Sequence, residues 1–456
     1  MGTTSLLEGP VGRRLLRFVL PILAGNILQQ LYNSIDAMII GRYVGETALG
    51  AIGASQPIAN IVLALVIGLG IGMEILLGVF IGCRDEKLAK QVVDTMFTAV
   101  MVLAVLMAAV GYAATPAMLR AMRTQPEHME LATVYLRIIF LGLPGITGYN
   151  TMTGAIRASG NSKAPLLFLA ICTALNLVLD LLAVKGLGLG VAGAAWATVV
   201  AQLLSFLMAI YYANRQPGGI HYDPRKLDFS WSMLKRGFGC ALPASVQQCA
   251  TSVGTLLLQT VVNGLGASAV TAYTIGCRID SFAAAPIINL GQALTIFTSQ
   301  NLGAGQKERI REGKGYCLLW AYCIGGVLLL LLWGCGGSMA RFFGATGETV
   351  DMAWDYVRTL SVGYFIAGYF TVMEGLIRGT GNTVVPMIST IGGYWLFRLP
   401  AAILLRQPLG YRGVWLSVLI GWTFSFILDL IYTHTGHFRR LLNGEKWEKM
   451  GVQDHG

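Results

Sequence analysis

The chain has 456 residues, 55% of them apolar and only 12% charged, which leaves too few Lys, Arg, Asp and Glu to coat a soluble globule of this size. An ordinary soluble domain is excluded, and twelve membrane helices of about 20 residues would take up roughly 240 residues, with the rest in connections and tails. The net charge of +10 would suit a nucleic-acid partner in a soluble chain, but here Lys and Arg sit in short segments between apolar runs, as membrane loops do, so no nucleic-acid partner is expected.

Near the start, Arg13, Arg14 and Arg17 precede an apolar stretch and imitate a signal peptide. The stretch holds Pro21, Asn26, Gln29, Gln30, Asn33 and Asp36, has no small-residue cleavage site after a clean apolar core, and runs on to Gly41. It is read as the first span. In chain order the candidate helices are 16–40, 48–80, 92–114, 131–154, 164–184, 190–213, 238–262, 268–300, 316–335, 355–377, 386–405 and 411–434. The second and eighth hold about 33 residues, near 50 Å at a rise of 1.5 Å per residue, so they should tilt or project into water.

With a cytoplasmic N-terminus, the inner face receives Arg84, Lys87 and Lys90, then Arg157 and Lys163, then Arg215, Arg225, Lys226, Lys235 and Arg236, then Lys307, Arg309, Arg311 and Lys314. The C-terminal segment adds Arg439, Arg440, Lys446 and Lys449. The other face gets a thinner set: Arg42, Arg120, Arg123, Lys185, Arg341, Arg358, Arg406 and Arg412. That asymmetry puts both termini in the cytoplasm and requires an even number of spans. The longest polar stretch within the body, 214–237, falls near the midpoint and has too few apolar residues to close a core. The expected organisation is an N-terminal six-helix lobe (1–213), a cytoplasmic linker (214–237), a C-terminal six-helix lobe (238–436) and a cytoplasmic tail (437–456).

An internal repeat supports the two lobes. The run Gly154-Ala155-Ile156-Arg157-Ala158-Ser159-Gly160-Asn161-Ser162-Lys163-Ala164-Pro165 returns, 221 residues later, as Gly375-Leu376-Ile377-Arg378-Gly379-Thr380-Gly381-Asn382-Thr383-Val384-Val385-Pro386. The same offset pairs Gly45 with Gly266, Ala48 with Ala269, Gly70 with Gly291 and Gly82 with Gly303. Repeats of six spans begin and end on the same side, so the two copies have parallel topology and are related by an approximate two-fold along the membrane normal. Such a frame points to alternating access and hence to a transporter. The repeated run itself reads as an elbow: Gly and Asn make a turn, Pro starts the next helix and Arg anchors the cytoplasmic edge.

Acids inside the spans are the candidate functional groups, because a carboxylate facing lipid is costly. Asp36 lies in the first span, with Asn33 one turn before it as a candidate for a substrate or secondary polar site. In the fifth span Asn176 and Asp180 are four apart and share a face. Asp36, Asp180 and the amide offer the hard oxygens sodium prefers, and two carboxylates in a low-dielectric pocket resist ionising together, so they suit a shared proton equally well. Thr198, by itself, reads as a helix-packing hydroxyl beside the small residues of Gly193-Ala194-Ala195-Trp196-Ala197. The second half mixes signs, with Arg278 and Asp280 in the eighth span, Glu374 in the tenth and Arg398 in the eleventh. These suit a structural ion-pair network with partners on different helices, or a substrate or secondary polar site led by Glu374. Glu74, near an inner helix end, is expected to reach water; Asp94 and Asp429, near helix ends, are expected at the interface.

No loop is long enough to hold a catalytic domain, no Gly-rich phosphate loop ending in Gly-Lys-Ser or Gly-Lys-Thr is present, and no compact His or Cys cluster appears. The expectation is therefore no enzyme, no cofactor and no metal beyond a coupling sodium ion. Cys172, Cys240, Cys249, Cys277 and Cys323 lie in apolar runs and read as packing thiols.

With these residues in view, the chain resembles the multidrug and toxic compound extrusion (MATE) family over about residues 10–436. The likeness rests on Asn33-Ser34-Ile35-Asp36, on Gly45-Glu46-Thr47-Ala48-Leu49-Gly50-Ala51, on the paired Arg-x-x-Gly-Asn elbows, on Pro243, and on Ser299-Gln300-Asn301-Leu302-Gly303-Ala304-Gly305. The resemblance implies an all-α integral membrane fold of twelve transmembrane helices in two pseudo-symmetric six-helix lobes, and export of organic cations or amphipathic drugs in exchange for protons or sodium. Within the family it looks closest to the bacterial branch named after DinF, which implies a cation-coupling site at Asp36, Asn176, Asp180 and Thr198. The NorM branch is known for a Glu in the seventh span; here Ala244-Ser245-Val246-Gln247-Gln248-Cys249-Ala250-Thr251-Ser252 holds no acid. The resemblance further implies a monomer in the bacterial inner membrane, with drugs and membrane lipids as its partners. The runner-up on the same frame is an exporter or flippase for an anionic metabolite or lipid-linked precursor, which would need Arg278 and Arg398 exposed in its cavity.

Overall fold

The computed structural model describes residues 6–215 and 220–448, and these form helices joined by short connections. Residues 216–219 of the expected linker and 449–456 of the expected tail lie outside the described residues. The long helices in chain order are α1 (Val11–Tyr43), α2 (Glu46–Gly82), α3 (Glu86–Ala121), α4 (Pro126–Ala158), α5 (Lys163–Gly186), α6 (Gly190–Arg215), α7 (Trp231–Asn263), α8 (Ala267–Gly303), α9 (Lys307–Phe342), α10 (Glu348–Gly379), α11 (Val384–Leu409) and α12 (Tyr411–Thr433). Two short helices, α13 (Gly436–Leu442) and α14 (Glu445–Glu448), follow.

Most of these helices run past the apolar windows into polar end turns, and at the start of α3 such a turn is capped. Asp85 accepts a hydrogen bond from the Leu88 N–H (2.9 Å), Glu86 stands in the first turn of α3 and Arg120 in its last, each sign matching the helix dipole. Helices α2 and α8 have 37 residues each, about 55 Å at 1.5 Å per residue. Eleven of the twelve long helices are apolar enough to cross a membrane by length and composition. The other, α7, is as long as α1 at 33 residues; Lys235, Arg236, Gln247, Gln248, Thr251 and Ser252 dilute its apolar content.

The chain folds into two compact units, one comprising Leu20–Ser245 and the other Leu6–Val19 with Val246 onward. The divisions fall inside α1 and α7, next to Pro21 and Pro243, rather than within 214–237. The described part of that segment belongs to the first unit, and Asp94 is the reason. Expected at the interface, Asp94 is instead fully buried. It accepts from Lys90 and from the Asp228 N–H (3.0 Å), while Gln91 donates to Asp228 (3.0 Å) and the Ser230 N–H donates to Thr95 (3.0 Å). These bonds hold residues 228–230 along the first turns of α3.

Each unit is organised around its fourth helix. In the first, α4 packs on α2, α3 and α6; in the second, α10 packs on α8, α9 and α12. The repeat is visible residue by residue. Gly45 and Gly266, paired by the 221-residue offset, precede α2 and α8 with φ of 104° and 101°, a region that a side chain disfavours. After α3 the first unit places Arg123 at φ 54°, where the second has Gly344 at φ 94°, so Arg carries a local strain that Gly avoids.

The two elbows have one design. The Asn161 side chain accepts from the Lys163 and Ala164 N–H groups (3.1 and 3.2 Å) and donates to the Tyr212 hydroxyl (2.8 Å). Asn382 accepts from the Val384 and Val385 N–H groups (3.1 and 3.3 Å) and donates to the Tyr432 hydroxyl (2.7 Å). Each Asn thus caps the fifth helix of its unit and ties it to the sixth. Asn161→Ala or Asn382→Ala should each lower stability by about 1–2 kcal/mol, read as a fall in thermal midpoint of the detergent-solubilised protein. A variant as stable as the parent would show that the elbow is held by packing alone.

Candidate functional site

In the first unit, α1, α5 and α6 bring together the four residues singled out in its spans. Asp180 is fully buried and Asp36 half-buried. Their carboxyl groups meet within hydrogen-bonding reach of each other. With the Asn176 amide oriented to satisfy its neighbours, its nitrogen donates to Asp180 Oδ2 (2.9 Å) and its oxygen accepts from the Thr198 N–H (3.2 Å). The Thr198 hydroxyl in turn lies 3.4 Å from the Tyr32 hydroxyl. One oxygen of each acid, Asp36 Oδ1 and Asp180 Oδ1, has no protein partner.

Local structure explains how the fifth helix aims Asp180. Immediately after it, Leu181–Gly186 forms a widened turn, an insertion that helices often carry at functional sites. The surroundings are apolar: Ile35, Ile39, Ile40, Leu177, Val184, Val191 and Ala194 share one cluster, and Tyr135 of α4 packs against it. Among the described residues no Lys or Arg forms an ion pair with either acid. Arg137, the nearest basic candidate in sequence, stacks over Tyr112 at 5.0 Å. A hydrogen bond between two carboxyls requires a proton on one of them. Without that proton, the carboxyl, amide and hydroxyl oxygens offer a hard-oxygen set for a small cation.

Two neighbours were missed in the sequence. Tyr32 lies four residues before Asp36 and so shares its helix face, a signal that was available. Tyr135 had none, since only packing brings α4 beside these acids. Asn33 does not join the group: it is exposed and accepts from Gln29 on its own helix (3.3 Å).

In the second unit, the expected mixed-charge group separates into distinct places. Asp280 accepts from the Tyr364 hydroxyl (2.6 Å). Arg398, at the end of a second widened turn (Gly392–Arg398), is buried and stacks over Tyr394 at 4.7 Å. Tyr273, Tyr356 and Trp415 pack face and edge beside it. Asp280 lies near Arg398, but no ion pair joins them among the described residues. Arg278 is exposed and takes no part. Glu374 stands elsewhere, buried against Arg378 (2.9 Å) and Gln247 (3.1 Å). Its neighbour Asp429, expected at the interface, is fully buried. Glu74, expected to reach water, pairs with Arg157 of α4.

The chain matches known proteins along its length. The MatE family model matches twice, at residues 21–182 and 243–404, one copy in each half. The probable multidrug resistance protein YoeA of Bacillus subtilis is 27% identical over 430 residues, covering 92% of each chain. YpnP of the same organism, also a probable multidrug resistance protein, is 28% identical over 437 residues, 95% of this chain and 97% of its own. Among solved structures, a MOP superfamily transporter from Pyrococcus furiosus superposes with a TM-score of 0.89 at 25% identity, covering 97% of this chain and 99% of its own; its binding pocket is described as of reverse polarity, suggesting a different function.

Proposed function

The chain belongs to the MatE family of multi-pass multidrug transporters, and from that premise we propose that it exports organic cations or amphipathic drugs by antiport, in exchange for protons or sodium. The observation that carries this reading is the Asp36–Asp180 carboxyl pair, joined by Asn176 and Thr198 in an apolar setting. A pair that must hold a proton or a cation, and that no basic side chain neutralises, is suited to take up a coupling ion and give it back.

The ion tightens one packing of α1, α5 and α6, and loss of the ion releases it. Exchange follows if drug and ion favour opposite packings, since each can shift the equilibrium only by its differential affinity for the two. A membrane potential of about 100 mV adds roughly 2.3 kcal/mol for each net charge moved. In this reading the protein works as a monomer in the bacterial plasma membrane, with both termini cytoplasmic, and belongs to the branch named after DinF.

The test is transport of a fluorescent organic cation in proteoliposomes with imposed proton or sodium gradients. Movement of the dye should accelerate with one of the gradients and need no nucleotide. Transport indifferent to both would overturn antiport. The runner-up, export of an anionic metabolite, draws support from the exposed Arg278, but Arg398 is buried against aromatic rings. An anionic dye moving in place of the cation would favour it.

A further inference from the structure

We propose that Arg398 is the binding site for one small monovalent anion, of the size of chloride or formate, buried in the second compact unit beside Tyr273, Tyr356 and Tyr394. The anion is held rather than exported, so the proposal does not rest on the substrate or the coupling ion of transport.

The site begins with backbone geometry. The widened turn Gly392–Arg398 of α11 ends at Arg398, and α12 closes on its stem at Gly421, where an added Cβ would stand 2.8 Å from the Gly393 carbonyl oxygen and 3.0 Å from the Arg398 Cβ. Arg398 is only 7% exposed, and its guanidinium lies over the Tyr394 ring at 4.7 Å. The other polar groups acting on it include Tyr273 and Cys277 of α8 and Tyr356 of α10. The Cys277 thiol lies 3.6 Å from the Tyr356 hydroxyl, and Asp280, one turn on, accepts from the Tyr364 hydroxyl (2.6 Å). Among the described residues no hydrogen bond or ion pair reaches the Arg398 guanidinium, and its buried Nε has no acceptor. Trp415 stacks on Tyr273 (5.7 Å) and meets Tyr356 edge-on (5.0 Å). It brings a second buried donor, an Nε1–H that also has no acceptor.

The chemistry of these groups decides what such a place holds. A guanidinium has five N–H donors and no acceptor, and an indole adds one donor more. A buried donor without an acceptor is costly. The Tyr394 face answers the charge of the guanidinium, but it does not accept the N–H groups in the guanidinium plane. What these donors lack is a negatively charged acceptor, and the planar fork of Arg fits a carboxylate or a single halide. Asp280 is the acid near Arg398, yet it is engaged by Tyr364 and makes no ion pair with Arg398 among the described residues. It already places one negative charge beside one positive charge, so a further anion has to be single and small, and a divalent one would leave buried excess charge. Asp280 therefore competes with the bound anion. The anion fixes the guanidinium, and with it the end of the widened turn, against α8 and α10.

The test uses the full chain purified into lipid nanodiscs in sodium gluconate, whose anion is too large for the site. Equilibrium dialysis with radioactive chloride counts bound ions, and unlabelled formate, sulfate and citrate are added as competitors. Wild type should bind one chloride per chain, displaced by formate and not by sulfate or citrate. Arg398→Gln should weaken that binding at least about tenfold, since it removes the charge and most of the donors. Arg278→Gln, which changes an exposed arginine on α8, should leave it unchanged. Asp280→Asn should tighten it several-fold by removing the competing charge, and it decides the matter if Arg398→Gln does not fold. Absence of saturable chloride or formate binding to wild type, full binding in folded Arg398→Gln, or unchanged or weaker binding in Asp280→Asn would each overturn the proposal.

Discussion

Gradient-driven export is expected to fall to the level of protein-free vesicles when either Asp36 or Asp180 is replaced by Asn. Asn keeps the size of the side chain and can still hydrogen-bond, so α1, α5 and α6 should pack as before. What is lost is the second carboxyl, and with it the exchangeable charge: one carboxylate beside an amide has no partner with which to share a proton. Thr198→Val should be milder, about tenfold, since it removes one hydroxyl contact worth roughly 1–1.5 kcal/mol. Transport of a cationic dye under imposed gradients, with size-exclusion profiles as the folding control, measures all three. Near-normal exchange in both Asp variants would remove this pair from the coupling mechanism.

A second large effect is expected at the crossing of α8 and α10, this time on stability. A Cβ built on Gly375 would stand 2.3 Å from the carbonyl oxygen of Gly291, and one built on Gly379 would stand 2.5 Å from the Thr298 Cβ. The helices are therefore in backbone contact through a Gly-x-x-x-Gly face. The Thr295 hydroxyl bonds the carbonyls of both Gly291 (3.0 Å) and Gly375 (3.1 Å), which fixes the register. Inside a bilayer close packing of this kind replaces the hydrophobic drive that holds soluble helices together. Gly375→Ala should cost about 1–3 kcal/mol or more, and Gly375→Val should leave little folded protein. Gly334→Ala on α9, where an added Cβ meets nothing within 4 Å, is the matched control. Equal thermal midpoints for Gly375→Ala and Gly334→Ala would show that α8 and α10 can separate freely.

The sequence alone carried the class of the molecule. A chain with 12% charged residues that lies in lipid has to satisfy its backbone internally, and apolar runs long enough to span as helices gave the helix count. The 221-residue offset carried the two-fold repetition, which reappears as matching elbows, matching backbone angles at Gly45 and Gly266, and matching packing around α4 and α10. Asp36, Asn176 and Asp180 were legible because an acid in an apolar span is costly enough to need a reason, and because a spacing of four puts two residues on one helix face.

What the sequence could not decide was which polar groups meet. Helical spacing relates residues on one helix only, and every pairing that matters here joins different helices. Asp36 reaches Asp180 only because α1 packs near α5, and Tyr135 joins them only through α4. Arg278 and Arg398 look alike in a sequence, yet one is exposed and the other is buried against Tyr394, a difference set by helix rotation and by the widened turn at Gly392–Arg398. Asp94 and Asp429 were placed at the interface by their nearness to helix ends. They are buried because tertiary packing covers those ends, with residues 228–230 lying along α3 and with α10 and α11 closing over α12. Distance from a helix end fixes depth along one axis, and burial depends on the other two.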